Sequence, residues 1–158
     1  MPIVLRFPIA FMLLTVCLAT PAWADFQAGM DAYLRGDYAT TLHEWRPLAE
    51  QGNADAQNNL GAMYDDGHGV SQDYGQARQW YEKAAAQGYA IAQFNLGWLY
   101  DNGQGVPQDF VQAHKWYSLA VANGNKHAAA YRDMLARQMT SAQIDKAQKL
   151  AREWKPKQ

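Results

Sequence analysis

Apolar and polar residues alternate with the period of helices along most of the chain. Between residues 56 and 64 the apolar side chains fall at i, i+4, i+7 and i+8, which is one face of a helix. They are Ala56, Leu60, Met63 and Tyr64. Between residues 74 and 86 a second stripe recurs at offsets of 3, 4 and 7. Its members are Ala77, Trp80, Tyr81 and Ala84. The pattern therefore predicts two amphipathic helices.

Both stripes occur again 36 residues further along the chain. Residues 54–89 and 90–125 align without a gap and are identical at 20 of 36 positions. Self-similarity at a period of about 20 to 50 residues is typical of a solenoid, whose units bury their apolar faces against each other. Each unit also has a glycine in the middle of its first helix, Gly61 and Gly97, at a cost of about 1 kcal/mol relative to alanine. Because this loss of helix stability occurs in both units, the glycines indicate that the partner helix approaches closely at these positions.

Glycine-rich connectors separate the two helices of each unit, at residues 65–73 and 101–109. Their Asp-Gly and Asn-Gly steps form turns readily, because both residue types tolerate positive φ. Asp73 and Asp109 end the connectors, where a carboxylate would accept hydrogen bonds from the free amides of the next helix. The sequence therefore predicts turns at 65–73 and 101–109 and N-caps at Asp73 and Asp109.

The flanking residues extend the same architecture. Residues 25–53 keep the register in their second half but have a shorter connector, as a tetratricopeptide-like unit has. Residues 126–158 form a C-terminal cap, whose last helix is predicted to start at Thr140 with Gln143 completing a capping box. The predicted fold is all-α: an α/α superhelical solenoid of helix-turn-helix repeats, with about eight helices, no strand and a C-terminal capping helix.

Residues 1–24 have the three parts of a secretory signal peptide. Arg6 supplies positive charge, residues 7–18 are almost wholly apolar, and Ala22-Trp23-Ala24 resembles a cleavage site. The apolar run is short of the roughly 20 residues that cross a bilayer as a helix, so we expect cleavage after Ala24 and no membrane span in the mature chain. The predicted location is the periplasm or the extracellular space. Cys17, the only cysteine, lies inside this segment.

Charge argues against nucleic acid as a partner. The chain has 14 Lys and Arg against 15 Asp and Glu, whereas nucleic acid is normally bound by a clustered basic surface. The closest candidate for a basic cluster is residues 155–157, and a frayed soluble tail explains this run better. A polar C-terminal cap favours a monomer.

Four histidines are the first candidates for a metal or acid–base site. They lie in different helices and loops, and no two share the i, i+4 spacing of one helix face. They are His43, His68, His114 and His127. The densest group of possible ligands is Asp65, Asp66 and His68 in the first connector. Because Asp101, Asn102 and Gln104 hold the same places in the second, turn formation explains this group better. No metal, cofactor or catalytic residue is predicted.

Three motifs of the tandem repeat resemble the Sel-1-like repeat: an Ala-Gln-x-Asn-Leu-Gly-x-x-Tyr helix, a Gly-x-Gly-Val-x-Gln-Asp loop and an Ala-x-x-Trp-Tyr-x-x-Ala helix. The match covers residues 54–125 twice in register, and residues 26–53 more loosely. The resemblance implies an adaptor whose concave surface is lined by first helices and binds a protein or peptide. Exported bacterial members of this family resemble secreted or periplasmic interaction proteins.

One cysteine-rich branch of the family is associated with β-lactam binding and hydrolysis, which makes such an enzyme the alternative function. This chain departs from that branch, since residues 25–158 have no cysteine. A serine β-lactamase would need a nucleophile with a nearby base, as in Ser-x-x-Lys. The serines are Ser71, Ser118 and Ser141, and none has lysine three residues later. We therefore expect a binding module and no enzyme.

Candidate partner-binding residues lie on the first helices, away from their core stripes. They are Met30, Tyr33, Asn58, Phe94 and Trp98. Phe94 and Trp98 stand where the preceding unit has Asn58 and Ala62, so the apolar pair is specific to one unit. Aromatic residues in concave, desolvated places are typical of binding hot spots. The alternative is that both rings pack on the next helix, residues 128–135.

Overall fold

A computed structural model describes residues 25–157, so the predicted signal peptide, residues 1–24, lies outside the described residues. The described chain consists of eight helices and contains no strand, which confirms the predicted fold class. The helices are α1 (Phe26–Leu34), α2 (Tyr38–Glu50), α3 (Ala54–Asp66), α4 (Tyr74–Ala86), α5 (Ala90–Asn102), α6 (Phe110–Ala122), α7 (Ala128–Ala136) and α8 (Ser141–Glu153). None of them is long and apolar enough to cross a membrane.

The helices pack in pairs, α1 with α2, α3 with α4 and α5 with α6. The second helix of each pair also contacts the first helix of the next unit, so the pairs form a continuous stack. Three apolar clusters follow one another along this stack, and each contains a buried aromatic residue from a second helix: Trp45, Tyr81 and Tyr117. Each unit thus buries its apolar face against its neighbours, as in a solenoid.

The mid-helix glycines make room for those aromatic rings. A Cβ atom on Gly61 would lie 2.6 Å from ring carbons of Tyr81, and one on Gly97 would lie 2.6 Å from ring carbons of Tyr117. Gly29 of α1 lies in the same way against the Trp45 indole. The recurring glycine therefore permits the close approach that the sequence predicted, and an aromatic side chain makes that approach.

The connectors begin later than predicted, because α3 and α5 continue through Asp66 and Asn102. Gly67 and Gly103 then end the helices in the left-handed region, with φ of 74° and 66°. Only glycine adopts this conformation without a steric penalty. The predicted N-caps are confirmed, since the carboxylates of Asp73 and Asp109 accept hydrogen bonds from the amides at the start of α4 and α6.

Asp65 and Asp101 are helix residues that link the two helices of a unit. The hydroxyl of Tyr81 donates to Asp65 Oδ2 at 3.1 Å, and that of Tyr117 donates to Asp101 Oδ2 at 3.3 Å. The prediction that Asp65 serves turn formation is therefore wrong: its carboxylate has a partner on the paired helix, and the helix continues to the glycine.

The second glycine of each connector brings the loop onto the preceding unit. A Cβ atom on Gly105 would lie 2.6 Å from the backbone carbonyl of Tyr74, at the start of α4. Gly69 contacts Tyr38, at the start of α2, in the same manner. The two glycines of Gly-x-Gly thus have separate roles, one in ending a helix and one in joining two units.

The C-terminal helix begins as predicted. Thr140 Oγ1 accepts from the Gln143 amide at 3.3 Å, and Gln143 Oε1 accepts from the Thr140 amide at 2.8 Å, which completes the capping box. α8 packs on α6, where Trp154 meets Trp116 edge-on with ring centroids 6.4 Å apart. The amide of Lys157 then donates to the carbonyl of Ala86 at 2.7 Å. Residues 155–157 are therefore held against the end of α4, and the expectation of a frayed tail is wrong.

Candidate interaction surface

One position of the repeat recurs on the surface of α1, α3, α5 and α7, where α7 stands in the place of a fourth first helix. Met30 and Ala62 each follow the glycine under an aromatic ring, and the 36-residue offset carries Ala62 to Trp98 and Met134. Trp98 is 40% exposed and Met134 is 54% exposed, while Met30 and Ala62 are half-buried. We refer to Met30, Ala62, Trp98 and Met134 as the first-helix row.

A cleft of about 120 Å³ opens in this row between α1 and α3. Its lining consists of Met30, Tyr33, Trp45, Asn59 and Ala62. Trp45 is buried, and its indole stacks on the Tyr33 ring with centroids 5.6 Å apart. The methyl group of Ala62 fills little of the space between the two helices. We refer to this feature as the α1–α3 cleft.

Phe94 and Trp98 both pack on α7, and only one of them retains a large exposed surface. Phe94 meets Tyr131 edge-on with centroids 5.0 Å apart and lies 5.6 Å from the Tyr117 ring. Trp98 meets Tyr131 edge-on at 6.0 Å. Phe94 therefore belongs to the apolar cluster between α5, α6 and α7, whereas Trp98 is left with an open face.

Asn58 is part of a buried link between units. This residue is only 6% exposed. Its Oδ1 accepts a hydrogen bond from Asn95 Nδ2 at 3.1 Å, and its Nδ2 donates one to Asn59 Oδ1 at 3.3 Å. A partner would meet Asn59 and Asn95, which are less buried, before it met Asn58. The structure therefore separates the five predicted residues: Met30 and Tyr33 line the cleft, Trp98 is exposed, and Phe94 and Asn58 face inward.

Sequence reasoning missed Met134 as a further member of the first-helix row and Asn59 as part of the cleft lining. The signal was present in the repeat register, since adding 36 to Ala62 gives Trp98 and adding it again gives Met134. What the register could not show is that a small side chain at Ala62 leaves a cleft.

His68 joins the first two units. Its imidazole stacks on the Tyr38 ring with centroids 5.0 Å apart and an angle of 3°, and its Nδ1 lies 3.0 Å from the Tyr33 hydroxyl. Burial, followed by the negative charge of Asp66, raises the pKa of Tyr33. Within residues 25–157, no three His, Cys, Asp or Glu side chains converge as metal ligands would.

Ser118 and His114 form the closest approach to a nucleophile and base. Their Oγ and Nδ1 atoms are 3.4 Å apart, one turn from each other on α6. His114 is only 3% exposed, and burial lowers its pKa. The pair therefore reflects the i, i+4 spacing of neighbouring turns on one helix, with the imidazole buried and the hydroxyl half-buried.

The sequence matches the family model of the Sel1 repeat twice, over residues 54–89 and 90–125. Comparison with curated proteins gives no match. Similar solved structures include two proteins of this fold. One is a protective antigen present in uropathogenic Escherichia coli strains that displays an SLR fold, with 32% identity and a TM-score of 0.76 over 80% of this chain. The other is a Sel1 repeat protein from Oxalobacter formigenes, with 38% identity and a TM-score of 0.62 over 68% of this chain.

The chain spans 28% of the first of these proteins and 84% of the second. Proteins with this fold generally mediate protein–protein interactions and are typically non-enzymatic scaffolds. The two matched repeats, the all-helical stack and the identity to a relative of similar length agree, and the chain belongs to the Sel1-repeat family.

Proposed function

We propose that this protein is an exported adaptor that binds a protein or peptide on the surface formed by its first helices, the concave face of the superhelix. One observation carries the proposal. Within residues 25–157, four large apolar side chains are exposed, and three of them lie on the first-helix row or one turn from it. They are Leu34 (76%), Trp98 (40%) and Met134 (54%), while the fourth, Ile91 (49%), lies at the start of α5.

Exposed apolar side chains that share one side of a repeat protein favour recognition over chance exposure. Scattered single residues need no explanation, whereas aligned ones form a patch that a partner can desolvate. The α1–α3 cleft adds a concave place at one end of the patch, and Trp98 adds a large, rigid side chain of the kind enriched at hot spots.

The matched pair Trp98→Ala and Ile91→Ala tests the location of this surface. Both residues are exposed on the same side of α5, but Ile91 lies two turns, about 10 Å, before Trp98 and outside the first-helix row. Cross-linking in whole cells followed by mass spectrometry would first identify the partner. We expect Trp98→Ala to weaken its binding at least tenfold and Ile91→Ala to leave it unchanged, with small changes in melting temperature in both cases.

A large drop in melting temperature for Trp98→Ala would instead indicate that the indole serves packing on Tyr131. Unchanged binding in both variants would place the partner elsewhere on the chain, and equal loss in both would show that the surface is not centred on the first-helix row.

The proposal that the protein is exported rests on residues 1–24, where a basic start, a short apolar run and Ala22-Trp23-Ala24 follow one another. N-terminal sequencing of the exported protein is expected to begin at Asp25. A mature chain that begins at Met1 would refute cleavage, and cell fractionation would distinguish the periplasm from the medium.

A further inference from the structure

Charge is divided unequally between the first and second helices of the stack. α1, α3 and α5 contain five aspartates and neither lysine nor arginine. The aspartates are Asp31, Asp55, Asp65, Asp66 and Asp101. The basic residues of the paired helices are Arg46 in α2, Arg78 and Lys83 in α4, and Lys115 in α6. Asp31, Asp55 and Asp66 are exposed, whereas Asp65 and Asp101 are half-buried and bond to the paired helix. The exposed charge on α1, α3 and α5 is therefore wholly negative, although the whole chain is nearly neutral.

One of these aspartates, Asp66, is exposed beside the α1–α3 cleft, since it lies one turn beyond Ala62 and two turns beyond Asn59 on the same side of α3. Asp31 is exposed on α1 but follows Met30 directly and therefore lies on a different side of that helix from the cleft. None of the ion pairs in the described part of the chain involves either residue. Asp31 accepts a hydrogen bond from the uncharged amide of Gln27 at 2.8 Å.

The negative charge of Asp66 acts on the lining of the cleft. It contributes to the raised pKa of Tyr33, after the larger effect of burial. The nearest basic residue in sequence, Arg35, is exposed in the turn after α1. An occupant of the cleft would therefore meet mainly apolar walls and, at the rim, the Asp66 carboxylate, which is in none of the ion pairs of the described residues.

We propose, on the basis of the function proposed above, that the α1–α3 cleft selects an extended cationic segment. Such a segment places one bulky apolar side chain between Met30 and Ala62 and directs a flanking Lys or Arg toward Asp66. Asn59 lies in the lining, where its amide can hydrogen-bond the segment's backbone. Electrostatic complementarity of this kind excludes acidic partners, because like charges at the rim repel them.

Three fluorescently labelled dodecapeptides test the charge preference. They share a central Phe and differ only in its flanks, which are Lys, Gln or Glu. Fluorescence polarisation with the purified full chain should give the order Lys, then Gln, then Glu, and the Lys peptide should weaken as salt is added. Asp66→Asn should weaken the Lys peptide about two- to fivefold, as expected for one exposed ion pair. Asp145→Asn, the same change on the exposed surface of α8, should leave it unchanged.

Filling the cleft tests the position of the apolar side chain. Ala62→Phe should reduce binding of the Lys peptide at least tenfold, and its melting temperature shows whether the variant is folded. Should it fail to fold, Asp66→Lys decides, because this side chain is exposed and reversing its charge should weaken the Lys peptide and strengthen the Glu peptide.

The outcomes separate this inference from the proposed function. If all three peptides bind equally and all are lost in Ala62→Phe, the surface binds peptides and the cationic preference is refuted. If Asp145→Asn weakens the Lys peptide as much as Asp66→Asn does, the attraction is general and the cleft is not the site. If no peptide binds, the inference is refuted, while the proposed function still depends on the Trp98→Ala test with the cellular partner.

Discussion

Replacing Gly97 by alanine would add one methyl group where the Tyr117 ring lies. The added Cβ would be 2.6 Å from two ring carbons, and the ring is fully buried with its hydroxyl bonded to Asp101. Overpacking of this kind lowers the free energy of unfolding by roughly 2 kcal/mol, whereas the higher helix propensity of alanine raises it by about 1 kcal/mol. We therefore expect Gly97→Ala to lower the free energy of unfolding by about 1 kcal/mol.

Chemical denaturation followed by circular dichroism would measure this loss, with Gly75→Ala as the matched control. Gly75 is also helical, but a Cβ there would meet only the Asp73 carboxylate, at 3.1 Å. Alanine at this position should be neutral or stabilise by up to about 1 kcal/mol. The prediction for Gly97 is refuted if both variants gain stability alike.

A double-mutant cycle identifies the responsible atoms. In a Tyr117→Leu background the ring is gone, so Gly97→Ala should become neutral or stabilising, with a coupling of about 2 kcal/mol. In a Tyr117→Phe background the ring remains, and the penalty should remain with it. Equal penalties in the two backgrounds would show that the alanine perturbs the helix backbone and not the ring.

Two further predictions concern pH. The pKa of Tyr81 is raised by burial and then by the charge of Asp65, so the folded protein keeps this phenol neutral while the unfolded chain ionises near pH 10. Stability should fall as the pH rises above about 10, and Tyr81→Phe should reduce that slope; an unchanged slope would contradict the assignment. Burial lowers the pKa of His114, so its contribution to stability is present above about pH 6.5 and is lost as the pH falls below it. The difference in denaturation midpoint between pH 7.5 and 5.5 should shrink in His114→Gln and persist in the exposed control His43→Gln.

The repeating scaffold could be predicted from the sequence because its causes are local or recur. The spacing of apolar residues predicted the helices, and Asp73 and Asp109 predicted where α4 and α6 begin. Gly61 and Gly97 implied a close contact because the same cost appears twice. Each of these inferences needed only the neighbouring residues or the 36-residue offset.

The link between Asp65 and Tyr81 was missed because an Asp-Asp-Gly sequence fits a turn as well as a helix end. What decides between them is a hydroxyl 16 residues away on the paired helix. The same pair recurs as Asp101 and Tyr117, so the offset contained the signal, but only the packing of the two helices gives it meaning.

The exposure of the candidate residues was only partly predictable, and their role in binding stays a prediction. Trp98, one of the first-helix residues that vary between repeats, is exposed. Phe94 has the same chemistry one turn earlier, yet Tyr131 and Tyr117 enclose it. Whether an aromatic side chain is covered depends on α7, which departs from the repeat consensus.

The contrast between Ala62 and Trp98 shows how a regular stack acquires an irregular surface. The aromatic ring against each mid-helix glycine keeps the two helices of a unit close in the same way, so the backbone repeats. The next residue points outward, and its size alone then sets the depth of the surface: methionine at 30, alanine at 62 and tryptophan at 98. The α1–α3 cleft forms where Ala62, the smallest of the three side chains, lies beside Met30 of the preceding unit. Under the function proposed above, partner selection would therefore change by substitution at this single position without disturbing the glycine and ring beneath it.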